Sequence, residues 1–280
     1  MLQSKKVEKC EITAVSNQKG GVGKSSTVLN LGYALAKAGE RVLICDIDPQ
    51  GNCSIGFGIE NTDKLPYTMH ELLGMVMNGE TLPEADSFIQ KGNKPGMVLD
   101  IIPSNINLAA TEINLRDEMG GEHTLKELLE PLRDRYTRII LDTSPYLGLL
   151  TINALVAASN VIIPVSPQLW SATGLTDLLQ TIAKVKRKLN PKITISGILL
   201  TMCDERTKLF KEAKALLDEN YGNQIRIFEN HIPNTTKVGE ANYVSLSVCE
   251  HEPTNRAAIA YTNFAQEVLR YGESIKTTTA

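Results

Sequence analysis

The chain has 280 residues, 42% of them hydrophobic and 22% charged, an apolar share that can bury a sizeable core and excludes a disordered chain. Lys plus Arg number 29 against 32 Asp plus Glu, a formal charge of −3, which excludes a constitutively basic protein that coats nucleic acid as a monomer. The five cysteines form no C-x-x-C pair, no apolar run reaches the ~18 residues of a spanning helix, and the polar start at residues 1–10 is unlike a signal peptide.

Taken along the chain, the first predicted strand is 12–16, and a glycine-rich loop, Ser16-Asn17-Gln18-Lys19-Gly20-Gly21-Val22-Gly23-Lys24-Ser25-Ser26, joins it to a helix over 25–38. Glycines let backbone N–H groups close around phosphate oxygens, and a helix start adds its positive dipole end. Lys24 is placed to reach β- and γ-phosphate oxygens, and the Ser25 hydroxyl to ligate Mg²⁺. A glycine-rich turn with two solvated lysines is the bland alternative. The agreement of strand, loop, Gly-Lys-Ser and helix sets it aside.

The next strand, 41–46, ends in Asp46 and Asp48, which strand alternation puts on one side at the carboxyl edge of the sheet. Without the glycine-rich loop before it, such a pair reads rather as solvated strand-end acids capping a helix. Residues 61–96 are rich in Gly, Pro and polar residues and are expected to decorate one sheet edge. Strands follow at 98–102, 138–142 and 160–165, with a helix over 124–136 between the first two. The second of these strands ends in Asp142, an apolar run followed by an acid that fits a residue beside a metal.

A helix is expected over 174–189, and Lys184, Lys186, Arg187, Lys188 and, beyond its end, Lys192 form an acid-free basic run within nine residues, either a solvated face or a nucleic-acid contact. Strand 193–201, helix 208–220 and strand 225–228 complete the pattern. Continuous apolar runs alternating with helices predict an α/β fold. This is one domain with a mostly parallel twisted sheet and helices on both faces, the P-loop arrangement. The expected boundaries are an N-terminal extension at 1–10, the domain at 11–272 and a flexible tail at 273–280.

The loop Lys19-Gly20-Gly21-Val22-Gly23-Lys24-Ser25 resembles the deviant Walker A motif, K-G-G-x-G-K-[ST], of the ParA/MinD superfamily of P-loop ATPases. Its Asn-Gln-Lys-Gly-Gly-Val-Gly-Lys form is similar to the ParA/Soj branch. The stretch Asp46-Ile47-Asp48-Pro49-Gln50-Gly51-Asn52 resembles the second motif, D-x-D-P-Q-G-N, and Asp142 the Walker B acid, although Thr143-Ser144-Pro145 stands where the family has C-P-P. Gly197–Asp204, Ile232-Pro233 and Glu240-Ala241 continue the likeness, which runs over 11–269.

The resemblance implies ATP and Mg²⁺ as cofactors. It implies phosphate and nucleotide contacts at Lys19, Gly20, Gly21, Val22, Gly23, Lys24, Ser25 and Ser26, with Pro233 either an adenine-side contact or only a turn residue. Lys19 matches the lysine that reaches the partner's nucleotide in a sandwich dimer, Lys24 the loop lysine, and Asp48 the residue that orients the attacking water. Ser25, Asp48 and Asp142 match the metal side. Arg206, Lys237 and Arg256 match basic positions that contact DNA, while Asn234 and Thr254 stand where relatives carry arginine.

The implied function is a partition ATPase that forms an ATP-dependent homodimer and binds double-stranded DNA without sequence preference. Its hydrolysis is stimulated by a ParB-like centromere-binding protein, in the bacterial cytoplasm on the nucleoid. The alternatives are a MinD-like membrane-recruited ATPase, a carrier of non-DNA cargo, and a P-loop kinase or ligase. The end at 263–280, with one Arg, one Lys and few bulky apolar residues, does not describe a membrane anchor. Lys19 and D-x-D-P-Q-G-N count against the kinase.

Overall fold

Runs such as Ile139-Ile140-Leu141 and Val161-Ile162-Ile163 have apolar side chains on both faces, so they are stable only between two helical layers. The computed structural model, which describes residues 10–92, 94–168 and 172–278, forms that arrangement. In chain order the elements are β1 (Glu11–Val15), α1 (Lys24–Lys37), β2 (Arg41–Ile47), α2 (Asn52–Phe57), α3 (Met69–Met77), α4 (Ala85–Phe88), β3 (Gln90–Lys91), β4 (Val98–Ile102), α5 (Leu108–Asp117) and α6 (Thr124–Leu129). There follow β5 (Arg138–Thr143), α7 (Leu149–Ala157), β6 (Asn160–Val165), α8 (Ala172–Lys188), β7 (Thr194–Leu200), α9 (Lys208–Tyr221), α10 (Thr236–Tyr243), α11 (Val248–His251) and α12 (Arg256–Thr278).

The sheet order is β3-β4-β2-β5-β1-β6-β7, parallel except for the antiparallel edge pair β3–β4. Alternate side chains divide the core. Val15, Ile44, Ile101, Ile140 and Ile162 pack with α1 and α12, around Leu31, Leu35, Tyr261 and Phe264. Ala14, Cys45, Leu141, Ile163 and Leu200 face the other way, with Leu72, Leu128, Leu155 and Leu178 of α3, α6, α7 and α8. All five cysteines are free and buried.

Several boundaries differ from the sequence expectation. The helix predicted over 124–136 ends at Leu129 and passes into a 3-10 turn, Glu130–Leu132, because Pro131 donates no hydrogen bond and its ring crowds the preceding turn. Residues 225–228 do not form a strand. Ile227 makes one isolated parallel bridge to Ile198, carried by Ile198 N–H to Arg226 O at 2.8 Å and Phe228 N–H to Ile198 O at 2.9 Å; beyond it the N–H groups of Glu229 and Asn230 go to the Glu267 carboxylate instead of β7. The edge strand β3 lies within the region read only as decoration. Helix α12 runs on to Thr278, through most of the stretch expected as tail; residues 1–9 and 279–280 lie outside the described residues.

Candidate nucleotide site

The loop between β1 and α1 is fixed by the strands beside it. Ser16 N–H donates to Ile162 O at 3.1 Å, Asn17 Nδ2 to Pro164 O at 2.7 Å, and Thr201 Oγ1 to Val22 O at 2.8 Å. Asn17 Oδ1 in turn accepts the Lys19 N–H at 3.0 Å. Gly21 and Gly23 take φ values of 72° and 83°, the left-handed region that a Cβ disfavours. Gly23 is the N-cap of α1, and neither a capping side chain nor an acid occupies the first turn. The helix start is thus left with outward N–H groups and a positive end, an anion site by construction.

Lys24 lies over this loop, 7% exposed, with Nζ donating to Lys19 O at 3.1 Å. Burial lowers its pKa, while Asp142 and Asp48 pull it back up. The Lys19 side chain is exposed and makes no ion pair among the described residues. Its main-chain N–H and C=O are tied down by Asn17 and Lys24, leaving the exposed side chain as its one untethered group among the described residues.

Three carboxylates face the loop. In the β2–β5–β1 register Asp142 stands beside Asp46 on one side and Val15 on the other. Asp142 is fully buried, and neither carboxylate oxygen has a hydrogen-bond partner among the described residues. Burial, then the Asp46 charge, pushes its pKa well above the usual carboxylate range, against the pull of Ser25 and Lys24. A buried acid with orphaned oxygens beside Lys24 and the Ser25 hydroxyl fits a hard cation or a water held by one.

Asp46 differs. Its Oδ2 accepts Ser54 N–H at 2.8 Å and Ser54 Oγ–H at 2.7 Å, and its Oδ1 accepts Asp48 N–H at 3.1 Å. It caps α2, one of the two roles the spacing allowed, but does so fully buried. Asp48 holds its own loop through Gln50 N–H to Oδ1 at 3.0 Å and remains 7% exposed toward the site. Sequence reasoning placed the pair but assigned Asp46 no separate role; Ser54, eight residues on, carries no motif that signals it.

Met202, in the left-handed region at φ 54°, and Thr201 lie against Gly23. Cys203 bridges Pro233 through Cys203 N–H to Ile232 O at 2.9 Å and Asn234 N–H to Cys203 O at 2.8 Å. Pro233 is therefore carried at the mouth of the P-loop by the end of β7. No motif points to Asn242, whose Nδ2 donates to Ser26 Oγ at 3.3 Å while its buried Oδ1 has no partner among the described residues.

The three basic residues predicted to meet DNA lie on one side of this mouth, each already engaged. Arg206 is 85% exposed and forms two 3.0 Å contacts with Asp204. Lys237 Nζ is 2.8 Å from both Glu240 and Glu252. Arg256 donates to Asn234 O at 2.5 Å, and its charge reaches Asp204. The basic run at 184–192 is exposed and unpaired among the described residues, but it lies at the opposite edge of the sheet, where β7 begins.

A Gly-Lys-Ser loop closing on a helix start beneath an unpartnered strand-end acid defines a P-loop nucleotide hydrolase. A profile described as an AAA domain matches residues 10–195. The chromosome partitioning protein ParA of Caulobacter vibrioides is 37% identical over 92% of this chain and 93% of its own length. The sporulation initiation inhibitor protein Soj of Bacillus subtilis is 38% identical over 94% and 99%. Among solved structures, cobyrinic acid a,c-diamide synthase from Mycobacterium smegmatis with bound ADP and magnesium superposes with a TM-score of 0.80, at 32% identity over 95% of this chain and 96% of that one. The chain belongs to the ParA/Soj-type ATPases of the ParA/MinD superfamily. No helix of the described residues is long and apolar enough to cross a membrane.

Proposed function

We propose that the protein is an Mg-ATP-dependent DNA partition ATPase of the bacterial cytoplasm. The observation that carries this reading is Asp142, buried beside Lys24 and Ser25 with both oxygens unpartnered among the described residues, together with the exposed Lys19, which makes no ion pair among them. Ser25 Oγ would hold Mg²⁺, with Asp142 and Asp48 behind its water shell; when bound, the ion neutralises phosphate charge. Gly20–Ser26 N–H groups and Lys24 hold the β- and γ-phosphates, Pro233 borders the base, and Asp48 orients the attacking water. Lys19 crosses to the nucleotide of a second copy, so the competent form is a homodimer.

Dimerisation doubles the face built by Arg206, Lys237 and Arg256, and two modest patches bind DNA far better than one. Phosphate contacts of this kind position the protein without reading sequence. A ParB-like centromere-binding protein stimulates hydrolysis and release from the nucleoid. The name of the M. smegmatis neighbour carries a second reading, ATP-dependent amide synthesis. The partition relatives are the more similar in sequence, at 37% and 38% identity.

The test is DNA binding at several salt concentrations with ATP, ADP or no nucleotide, on the wild type and Asp48→Ala. Binding that needs ATP, weakens steeply with salt and persists in Asp48→Ala supports the switch. Equal binding in all nucleotide states, or ATP-dependent binding to anionic liposomes with none to DNA, overturns it.

A further inference from the structure

The P-loop uses the carboxyl ends of the strands; a second cavity, of about 720 Å³, opens at their amino ends. Arg41, at the start of β2, is five residues from Asp46, so roughly 17 Å of strand separates the two sites. Arg41, Lys91, Lys94 and Arg135 surround the cavity, with Asp100 and Tyr136 among its walls. Its lining thus carries four cations and one carboxylate, in a chain of net charge −3.

Part of that charge is offset from outside the cavity. Lys91 and Arg135 share Asp86 at 3.2 and 2.7 Å, and Lys94 pairs with Glu250 at 2.6 Å. Arg41 has no carboxylate partner among the described residues, only a long 3.4 Å contact to Asp134 O. Asp100 is the one acid in the otherwise apolar Val98–Ile102 strand. It is 7% exposed, and its Oδ2 accepts the Tyr136 hydroxyl at 2.8 Å. Its Oδ1 accepts no hydrogen bond from the described residues. A largely buried strand acid whose unbonded oxygen is its solvent-reached one can accept a donor from a bound ligand.

We propose that this cavity binds a mononucleotide, its phosphate held by Arg41 and Arg135 and the donor edge of its base by Asp100. The volume suits a ligand of that size. Planar guanidinium groups match phosphate geometry. Guanine fits the acid best among the common bases, because its pairing edge offers two adjacent N–H donors, one for the open Oδ1 and one for the lone pair that Oδ2 keeps beside the Tyr136 hydroxyl, where adenine offers one amino group.

The test titrates GMP, AMP and inorganic phosphate into the full-length protein with the P-loop filled by saturating ADP and Mg²⁺. The expected result is saturable GMP binding, about tenfold tighter than AMP and tighter still than phosphate. Arg41→Ala and Arg135→Ala, both at the surface, are each expected to weaken GMP about tenfold. Asp100→Asn should abolish the preference for GMP over AMP; the two arginine variants keep the test decisive if that buried change disturbs folding. Absence of saturable GMP binding, equal affinity for GMP and AMP, or GMP binding indifferent to both arginine variants overturns the proposal.

Discussion

Asp46 Oδ1 accepts the main-chain N–H of Asp48 at 3.1 Å, so the first acid of the D-x-D pair sets the backbone from which the second works. The other Asp46 oxygen takes two donors from Ser54, and Ser54 Oγ also accepts Ser104 N–H at 2.9 Å, tying β2, α2 and the end of β4 into one unit. Asp46→Asn places an amide N–H₂ against donors at Ser54 or Asp48, leaving at least one buried N–H unpaired. The expected outcome is a fall of at least about tenfold in ATP turnover with nucleotide affinity kept within a few fold, and a stability loss of about 1–3 kcal/mol. Steady-state turnover, nucleotide titration and urea melts on one preparation separate these effects. Unchanged turnover would show that Asp48 needs no such support.

Asp142 carries the opposite expectation. Its buried oxygens accept no hydrogen bond from the described residues and stand beside Asp46, with Lys24 only partly offsetting the burial, a frustrated arrangement in the nucleotide-free chain. A carboxyl with a raised folded value binds a proton on folding, so the stability of the nucleotide-free protein declines as pH climbs above the ordinary carboxylate range. Asp142→Asn is expected to raise nucleotide-free stability by roughly 1–2 kcal/mol at neutral pH and to flatten that decline. The same variant should lose most of the stabilisation that Mg²⁺ with ADP gives the wild type. Thermal melts with and without Mg-ADP, from pH 5 to 8, check both halves.

Much of this site was legible because its chemistry is local. Lys19 to Ser26 are consecutive, and β1 and α1 flank them as an apolar run and a helical run, so loop, lysine and hydroxyl could be placed from one segment. Asp142 was legible for the same reason, as an acid ending a buried strand. What was not legible depends on partners far away in sequence. Ile225 to Phe228 have strand composition, but Glu267, about forty residues on, takes the N–H groups that a longer ladder would need. Asn242 reaches Ser26 across 216 positions. The split after Leu129 could have been read from Pro131, whose missing N–H outweighs a favourable apolar period. The acidic clamps on Arg206 and Lys237 are set by local turns that composition does not reveal.

Glu267 supplies the acid-side prediction. Its side chain is 5% exposed, with Oε1 accepting Arg226 Nη2 at 2.7 Å and Glu229 N–H at 3.0 Å, and Oε2 accepting Asn230 N–H at 3.2 Å and Nδ2 at 2.8 Å. Burial would raise its pKa, but the donors of Glu229 and Asn230 and the charge of Arg226 together hold it below the usual value of 4.5. A depressed folded value means that this stabilisation is complete above the unfolded value and is lost as pH falls through the folded one. Glu267→Gln is expected to cost about 1–3 kcal/mol at pH 7, with the gap to wild type closing as pH drops below about 4.5. Urea melts at pH 7, 5 and 3.5 measure it; a gap independent of pH would assign the loss to packing.

The contact most open to manipulation is the clamp on Lys237. Its ammonium lies between Glu240 and Glu252 at 2.8 Å each, and those carboxylates raise its pKa, so it is fully charged yet internally neutralised. A phosphate must compete with both acids for the same three N–H donors. Under the partition reading, Glu252→Gln removes one competitor and is expected to strengthen ATP-dependent DNA binding several fold, with a steeper salt dependence. Lys237→Ala should weaken binding on every sequence alike and reduce the slope of log affinity against log salt by about one per protomer. The pair forms a sign test, because a lysine that only braces α10 against α11 would make both substitutions destabilising and neither would raise affinity. Filter binding or fluorescence anisotropy across 50 to 200 mM salt, with thermal melts on the same samples, distinguishes a DNA contact from a brace.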